Sequence, residues 1–462
     1  MKTYQDLLEQ KTDKQRLEFA LSAINEHKTT ELYKTAVEAE EYARQKNVTI
    51  TEYRKLLYTL SGDAVADNFS ANHKCASNFF DRFITQEVQY LLGNGCVFEN
   101  DETKEKIGGD EFDIVLQKGA LWALIGGVSF GLFDIDHIQF FKVTEFVPLI
   151  DEEDGSLKAG IRFWQIADNK PLRATLYELD GYTDLIRKDQ EDIQILHEKR
   201  AYIVNEASTA ADGIIFEAGE NYPTFPIVPL WANPYHQSEI IGIREEIDCY
   251  DLIKSGFAND LDDASQIYWT IQNAGGMDDI DLAKFVERLK TVKAAVVDDA
   301  GSQAEAHTIE LPYQAREAAL TRLEKDLYKD FKALDTEQIA AGNVTATQIQ
   351  AAYEPLNEKC DMFEFCILDF LKGIFELAGL EDKPTFTRSQ ITNQTEVTQM
   401  ILMSAQYLDD DTIIDLLPFL TPEQKEEVKK INEADKVEVF EEETEPETQP
   451  VEQPIEQAVE AE

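Results

Sequence analysis

Residues 345–380 read TATQIQAAYEPLNEKCDMFEFCILDFLKGIFELAGL. Ile349, Tyr353, Leu356, Cys360, Phe363, Ile367, Phe370, Ile374 and Leu377 follow one another at steps of three and four without a miss. That spacing places them on one stripe of a long α-helix running from about Thr345 to Leu380. Pro355 sits inside it. A proline there removes a backbone hydrogen bond and presses its ring against the preceding turn, so a kink is predicted around Ala351–Pro355.

Working outward, Leu320, Leu323, Leu327, Phe331 and Leu334 predict a second helix from about Tyr313 to Leu334. Asp335 to Asn343 read as a loop between the two. Further upstream, Ile240, Ile243, Ile247, Tyr250, Phe257 and Leu261 form a third stripe, with Lys254 in its one gap. It predicts a helix from Ser238, as N-cap, to about residue 265, roughly 40 Å long. Residues 267–312 have another texture: strand-like Ile267–Ile271, a Gly275-Gly276 turn, a short helix carrying Leu282, Phe285, Leu289 and Val292, then strand-like Ala294–Val297 and Pro312. Periodicity alone leaves the three long stripes equally readable as an ordinary bundle core.

The N-terminal half is mixed. Leu7, Leu8, Leu17, Ala20, Leu21 and Ile24 predict one helix, Thr29–Lys46 a second, and Ala71–Leu92 a third, closed by Gly93-Asn94-Gly95. Residues 96–235 are expected to be mostly β. Val147–Ile150, a turn at Asp151–Ser156 and Ala159–Trp164 make a hairpin signal. Strands are expected near Ala174–Leu179, Thr183–Arg187 and Ile193–Leu196. Pro223, Pro226, Pro229 and Pro234 are too closely spaced for a central strand. The apolar run Gly119–Phe133 falls short of the roughly 20 residues of a membrane span and reads as buried strand or helix. Beyond small helices near Thr395–Tyr407 and Thr421–Ile431, the glutamate- and proline-rich residues from about 432 onward are expected to be disordered.

The formal charge of the 462 residues is −47, from 90 acidic against 43 basic side chains. Such a surface excludes general binding to duplex DNA or to anionic lipid, which relies on Lys and Arg. No membrane association is expected, and the opening residues lack the apolar core of a signal peptide. Cys75, Cys96, Cys249, Cys360 and Cys366 form no CxxC pair, which argues against a disulfide framework or zinc site and suits a reducing compartment.

Gly108-Gly109-Asp110-Glu111-Phe112 spells the signature of diguanylate cyclases, and Asp134-Ile135-Asp136-His137 echoes that family's metal-binding strand. Their order is reversed here and the elements that should follow are missing, so the match is read as coincidence. There is no P-loop, GxGxxG or HExxH. The histidines are scattered, and Asn259–Asp263 reads as a solvated helix end rather than a calcium loop. No catalytic residue, cofactor or metal is expected. Lys284, Arg288, Lys290 and Lys293 form a basic cluster: either the solvent face of a short helix or a docking surface for an acidic partner or phosphate.

Several segments, taken in order, resemble the portal (head–tail connector) proteins of tailed phages, of the type found in siphophages of Gram-positive hosts. They are Asn72–Lys74 through Gln86–Gly93, the Val147–Trp164 hairpin, Phe225–Leu230 with Asn233, Asp248–Leu261, and Gly342–Ile349. The resemblance covers roughly residues 64–420. It implies an α+β, mainly α, portal fold: an α/β wing over 1–236, stem helix 1 over 237–266, a small α/β clip over 267–312 and stem helix 2 over 313–334. A tunnel loop over 335–344, a kinked tunnel-lining helix over 345–383, a helical crown over 384–431 and an acidic tail over 432–462 complete it. It further implies a ring, usually of twelve subunits, at one capsid vertex of the virion, assembled in the host cytoplasm, with no catalysis. Its expected partners are double-stranded DNA in the channel, a terminase packaging motor, major capsid and scaffolding proteins, and head–tail adaptors. Asp335, Thr336, Glu337, Gln338, Asn343 and Thr345 would then face the channel, Pro355 would set the kink, and the basic cluster would dock partners. In such a ring the acidic faces line the lumen and let DNA slide without sticking. A soluble nucleotide-signalling enzyme using Gly108–Phe112, or a helical protein-binding scaffold, are the alternatives still open at this point.

Overall fold

The computed structural model describes residues 2–58, 62–67, 70–188, 192–210, 213–264, 268–272, 303–307, 313–340, 345–389, 394–404, 407–417, 424–426 and 428–431. They fall into two units, one of residues 1–336 with 353–389, the other of residues 337–352 with 390–462.

The chain opens on α1 (Tyr4–Leu8), α2 (Asp13–His27), α3 (Glu31–Ala43) and α4 (Val48–Glu52). One helix was expected through Leu7–Ile24, and two form. Thr12 makes a capping box with Gln15, as Thr3 does with Asp6, and each box starts a new helix. After the short pair β1 (Leu56–Tyr58) and β2 (Ala64–Ala66), α5 runs Phe79–Leu92. It begins later than expected, because residues 73–77 spend their amides on another helix.

The region expected to be mostly β opens with the two-residue strand β3 (Cys96–Val97) and then two helices, α6 (Asp101–Glu105) and α7 (Phe112–Gly126). The Gly119–Phe133 run supplies both of the structures it allowed. α7 ends at Gly126, Gly127 turns with φ +85°, and β4 (Val128–Asp134) begins. Only a glycine suits Gly127, since a Cβ there would also lie 2.9 Å from the backbone at Gln237 and Ser238.

β4 pairs antiparallel with β5 (His137–Lys142) on one side and β13 (Ile227–Trp231) on the other. Pro229 lies in β13, an edge strand, where its missing N–H is tolerated. β6 (Phe146–Ile150), β7 (Leu157–Trp164), β8 (Leu172–Glu178), β9 (Gly181–Arg187) and β10 (Gln194–Arg200) form an antiparallel meander. The predicted hairpin is its first turn, with Val147 opposite Ile161. Its apolar face packs on α1 and α2 through Leu7, Phe19, Ala20 and Ile24. β11 (Ile203–Ala210) and β12 (Gly213–Glu220) form a separate pair.

The second half carries α8 (Arg244–Ala264), β14 (Tyr268–Gln272), β15 (Gln303–His307), α9 (Tyr313–Phe331), α10 (Thr336–Ala340) and α11 (Ala346–Ala378). Then come β16 (Thr385–Phe386), which pairs with β3, α12 (Gln394–Ser404) and α13 (Asp410–Leu416). The quoted stripe is core: Tyr353, Leu356, Cys360, Phe363, Ile367, Phe370, Ile374 and Leu377 are all buried. Phe370 packs against Phe140 of β5 at 5.2 Å between ring centroids.

Candidate functional site

α8 and α9 pack side by side and run antiparallel. Arg316 near the start of α9 pairs with Asp260 near the end of α8. At the opposite end Glu246 and Asp330 share a hydrogen bond. Beyond the α8 C-terminus, β14 and β15 pair antiparallel, Tyr268 opposite His307, and close off the helix pair. The result is a two-helix arm tipped by a β ribbon. Lys284, Arg288, Lys290 and Lys293 fall in 273–302, outside the described residues, as do the expected Gly275-Gly276 turn, short helix and Ala294–Val297 strand, whereas residues 268–271 of the first expected strand lie in β14.

The expected start of the first arm helix needs correction. Ser238 does not cap α8, which begins at Arg244. Its hydroxyl donates to the carbonyl of Ile125 at 2.5 Å, and the Glu239 amide donates to Leu124 at 3.0 Å. Both carbonyls belong to the last turn of α7, where helices leave acceptors unfilled. The chain entering the arm is therefore tied to α7 before it turns into α8.

A second tie runs along α8 itself. The extended residues 73–77 lie against it. The Ser77 amide donates to Asp251 Oδ1 at 2.9 Å, Cys75 to Ser255 Oγ at 2.9 Å, and His73 to Asn259 Oδ1 at 2.6 Å. Asp251, Ser255 and Asn259 are all buried. Asn47 also donates to Asp251, and Tyr42 to Asp248 at 2.5 Å. Burial pushes the Asp251 carboxyl up from its ordinary range, against the pull of the Asn47 and Ser77 hydrogen bonds. Sequence reading followed the apolar stripe of this helix and missed its polar one. The signal was present as polar residues at i, i+4 and i+8.

α5 anchors the other arm helix. Phe83 stacks on Phe331 at 4.9 Å and meets Tyr328 edge-on at 5.1 Å, while Phe79 meets Tyr250 of α8 at 5.0 Å. Gln86 brackets Leu334, donating to its carbonyl at 3.0 Å and accepting from its amide at 2.9 Å. Residue 335, where the expected tunnel loop starts, thus leaves from a fixed point.

That loop is not all loop. Thr336–Ala340 form the short α10, with Thr336 and Glu337 exposed in its first turn; Asp335 is half-buried. Of Gln338 only the backbone is described, and Asn343 lies outside the described residues. Thr345 has a local job: its hydroxyl accepts from the Gln348 amide at 3.3 Å and its amide donates to Gln348 Oε1 at 3.1 Å, the reciprocal cap of α11. α11 runs unbroken through Pro355, whose ring is exposed. The boundary between the two units falls between Ala352 and Tyr353, in the turn just before that proline.

The remaining sequence candidates are placed away from chemistry. Gly109–Glu111 form a 3₁₀ turn entering α7 with Phe112 buried, and residues 134–137 span the β4–β5 turn. Among the described residues no group of three or more His, Cys, Asp or Glu side chains is placed to hold a metal ion.

One cluster of charge does lie buried. Lys359 of α11 places its ammonium 2.7 Å from Glu239 and 3.2 Å from Glu87 of α5, donates to the Phe331 carbonyl at 3.3 Å and sits over the Phe331 ring. Glu87 is 1% exposed, and burial raises its carboxyl to about 7 despite Lys359. One turn further along α11, Arg388 bridges Asn357, Asp361 and Glu364, the last at 3.0 Å.

The family model of phage portal proteins of the SPP1 Gp6-like type matches residues 24–439. The chain belongs to that family. It is similar to the portal protein of Clostridium phage phiCD119, 24% identical over 395 residues, 78% of this chain and 84% of that protein. It is also similar to the portal protein of Bacillus phage SPP1, 21% identical over 428 residues, 83% of this chain and 80% of that one. Among solved structures it resembles a chain in the neck of an empty GTA particle computed with C6 symmetry, at 9% identity, 74% and 90% coverage and a TM-score of 0.46. Another is in the neck of the native particle computed with C12 symmetry, at 10% identity, the same coverages and a TM-score of 0.42.

Proposed function

We propose that this chain is the repeating subunit of a ring at one vertex of a phage capsid, which forms the channel for DNA packaging and ejection. The observation that carries the reading is the family match, which spans residues 24–439 and so covers most of the chain. The antiparallel arm of α8 and α9, tipped by β14 and β15, fits the stem and clip that such a subunit needs. By this reading residues 1–236 are the wing, 335–344 the tunnel segment, 345–383 the tunnel-lining helix and 384–431 the crown.

The ring, a dodecamer by this reading, does no chemistry; hydrolysis of ATP belongs to a separate terminase motor that docks on the clip. Capsid and scaffolding proteins meet the wing, and head–tail adaptors replace the motor later. Thr336 and Glu337 sit exposed at the start of the tunnel segment, where a negative wall repels phosphate and lets DNA slide. Pro355, inside the tunnel helix, sets its kink. Purified protein imaged in negative stain should show rings with a central hole. Monomers or dimers that turn over a nucleotide would sink the proposal and favour the signalling enzyme.

A further inference from the structure

A cleft of about 300 Å³ opens where the arm leaves the wing. Asn233–Ile243, the end of α9 and the face of α11 line it, and Glu87, Glu239 and Lys359 form its floor. Four separate segments therefore converge on three charged side chains: α5, the lead-in to α8, α9 and α11.

The charges do not balance. Two carboxylates face one ammonium. Glu239 has a second partner, since its Oε1 accepts from Asn233 Nδ2 at 2.8 Å. Glu87 has no such help: its buried Oε2 lies 3.2 Å from the ammonium that Glu239 holds more closely, at 2.7 Å. The other groups that face it do not supply a cation. Cys360 of α11 lies against its backbone, Asp330 of α9 and Glu358 of α11 add negative charge at the rim, and Lys332 is engaged by Glu358 at 3.0 Å. An excess proton in this cluster therefore belongs on Glu87, the more deeply buried carboxyl, whose anion must share the one ammonium with Glu239.

We propose that Glu87, Glu239 and Lys359 form a proton-governed clasp at the root of the arm. With Glu87 neutral, Lys359 pairs with Glu239 and the lead-in to α8 is held against α5 and α11. When Glu87 loses its proton, two anions compete for one ammonium, and the lead-in loosens from its seat. The burial that raises Glu87 to about 7 puts this change near neutrality. The sign follows from linkage. The folded chain keeps the Glu87 proton over a range in which the unfolded chain has lost it, so the clasp is tightest at the acidic end and weakens as pH rises toward and through 7. The inference concerns the junction itself and stands whether or not the chain assembles into a ring.

The test is hydrogen exchange of the full chain from pH 5.5 to 8.5, corrected for the intrinsic rate at each pH. Wild-type protection of residues 237–247 and 331–334 should fall by about tenfold across neutrality. Glu87→Gln, which mimics the neutral form, should hold high protection throughout. Glu239→Gln should also remove the pH dependence, because Glu87 then has Lys359 to itself. A merely structural role would lower protection in the variants equally at every pH. Flat wild-type protection across the range, or a Glu87→Gln chain that follows wild type, overturns the proposal. If Glu87→Gln does not fold, as circular dichroism would reveal, wild type and Glu239→Gln decide the matter.

Discussion

The backbone amide of Ser77 donates to Oδ1 of Asp251 at 2.9 Å, although the two residues stand 174 positions apart. This single bond joins the segment before α5 to the middle of the first arm helix. Asp251 is 0% exposed, so its carboxylate has no solvent to fall back on.

Asp251→Ala should therefore destabilise the chain by about 3 kcal/mol, since it strands the Ser77 amide and removes the Asn47 partner in a buried site. Asp251→Asn keeps an acceptor and should cost about 1 kcal/mol. Urea denaturation followed by circular dichroism measures both, and equal effects would contradict this account.

Two glycines should respond with opposite signs. A Cβ at Gly131 would sit 2.6 Å from the Phe370 ring, so Gly131→Ala should overpack the core and cost about 1–3 kcal/mol. Gly256 lies within α8 with nothing inside 4 Å of such a Cβ. Gly256→Ala should stabilise by about 0.5–1 kcal/mol through helix propensity. Thermal melts of the two variants check the pair.

Lys359→Met leaves Glu87 and Glu239 without their ammonium. Near neutrality it should destabilise by about 3–5 kcal/mol. The loss should shrink toward pH 5, where Glu87 is neutral in the folded chain. Denaturation at pH 5 and pH 8 reads the difference, and a loss that grows on acidification would have the wrong sign.

Pro355→Ala restores an N–H inside α11 and removes the worst helix former, which is worth up to about 3 kcal/mol in a helix interior. The expected outcome is a higher melting temperature together with poorer DNA packaging in an assembly assay. A variant that is more stable and packages normally would remove the kink-setting role from Pro355.

The stripe of α11 was readable from Tyr353 to Leu377, because each turn of a helix packed on a core must present an apolar side chain. The hairpin from Val147 to Trp164 was equally legible, through two strand-like runs around an acidic turn that carries Asp154-Gly155. Other features were hidden for definite physical reasons. The lead-in to α8 carries Ile240 and Ile243, buried like helix positions, yet its serine caps a different helix. The residues 73–77 look helical in composition, but their amides satisfy side chains of α8. Glu87 sits on an amphipathic helix between Gln86 and Gln89, and only tertiary packing makes it a buried acid. Spacing records which face of an element is apolar, and it carries no trace of which distant element supplies a polar partner.

The ladder on α8 also behaves as a vernier. Alternate residues of an extended chain advance about 6.7 Å, and every fourth residue of a helix advances about 6.0 Å. Ser77, Cys75 and His73 step along Asp251, Ser255 and Asn259 at these two rates, so the scales slip by roughly 0.7 Å per step and coincide only over a short stretch. The reach of this fastening is thus limited by arithmetic rather than by the supply of polar residues. Lengthening α8 would lengthen the arm without lengthening its grip, so arm length is free to vary while the attachment at its root stays the same.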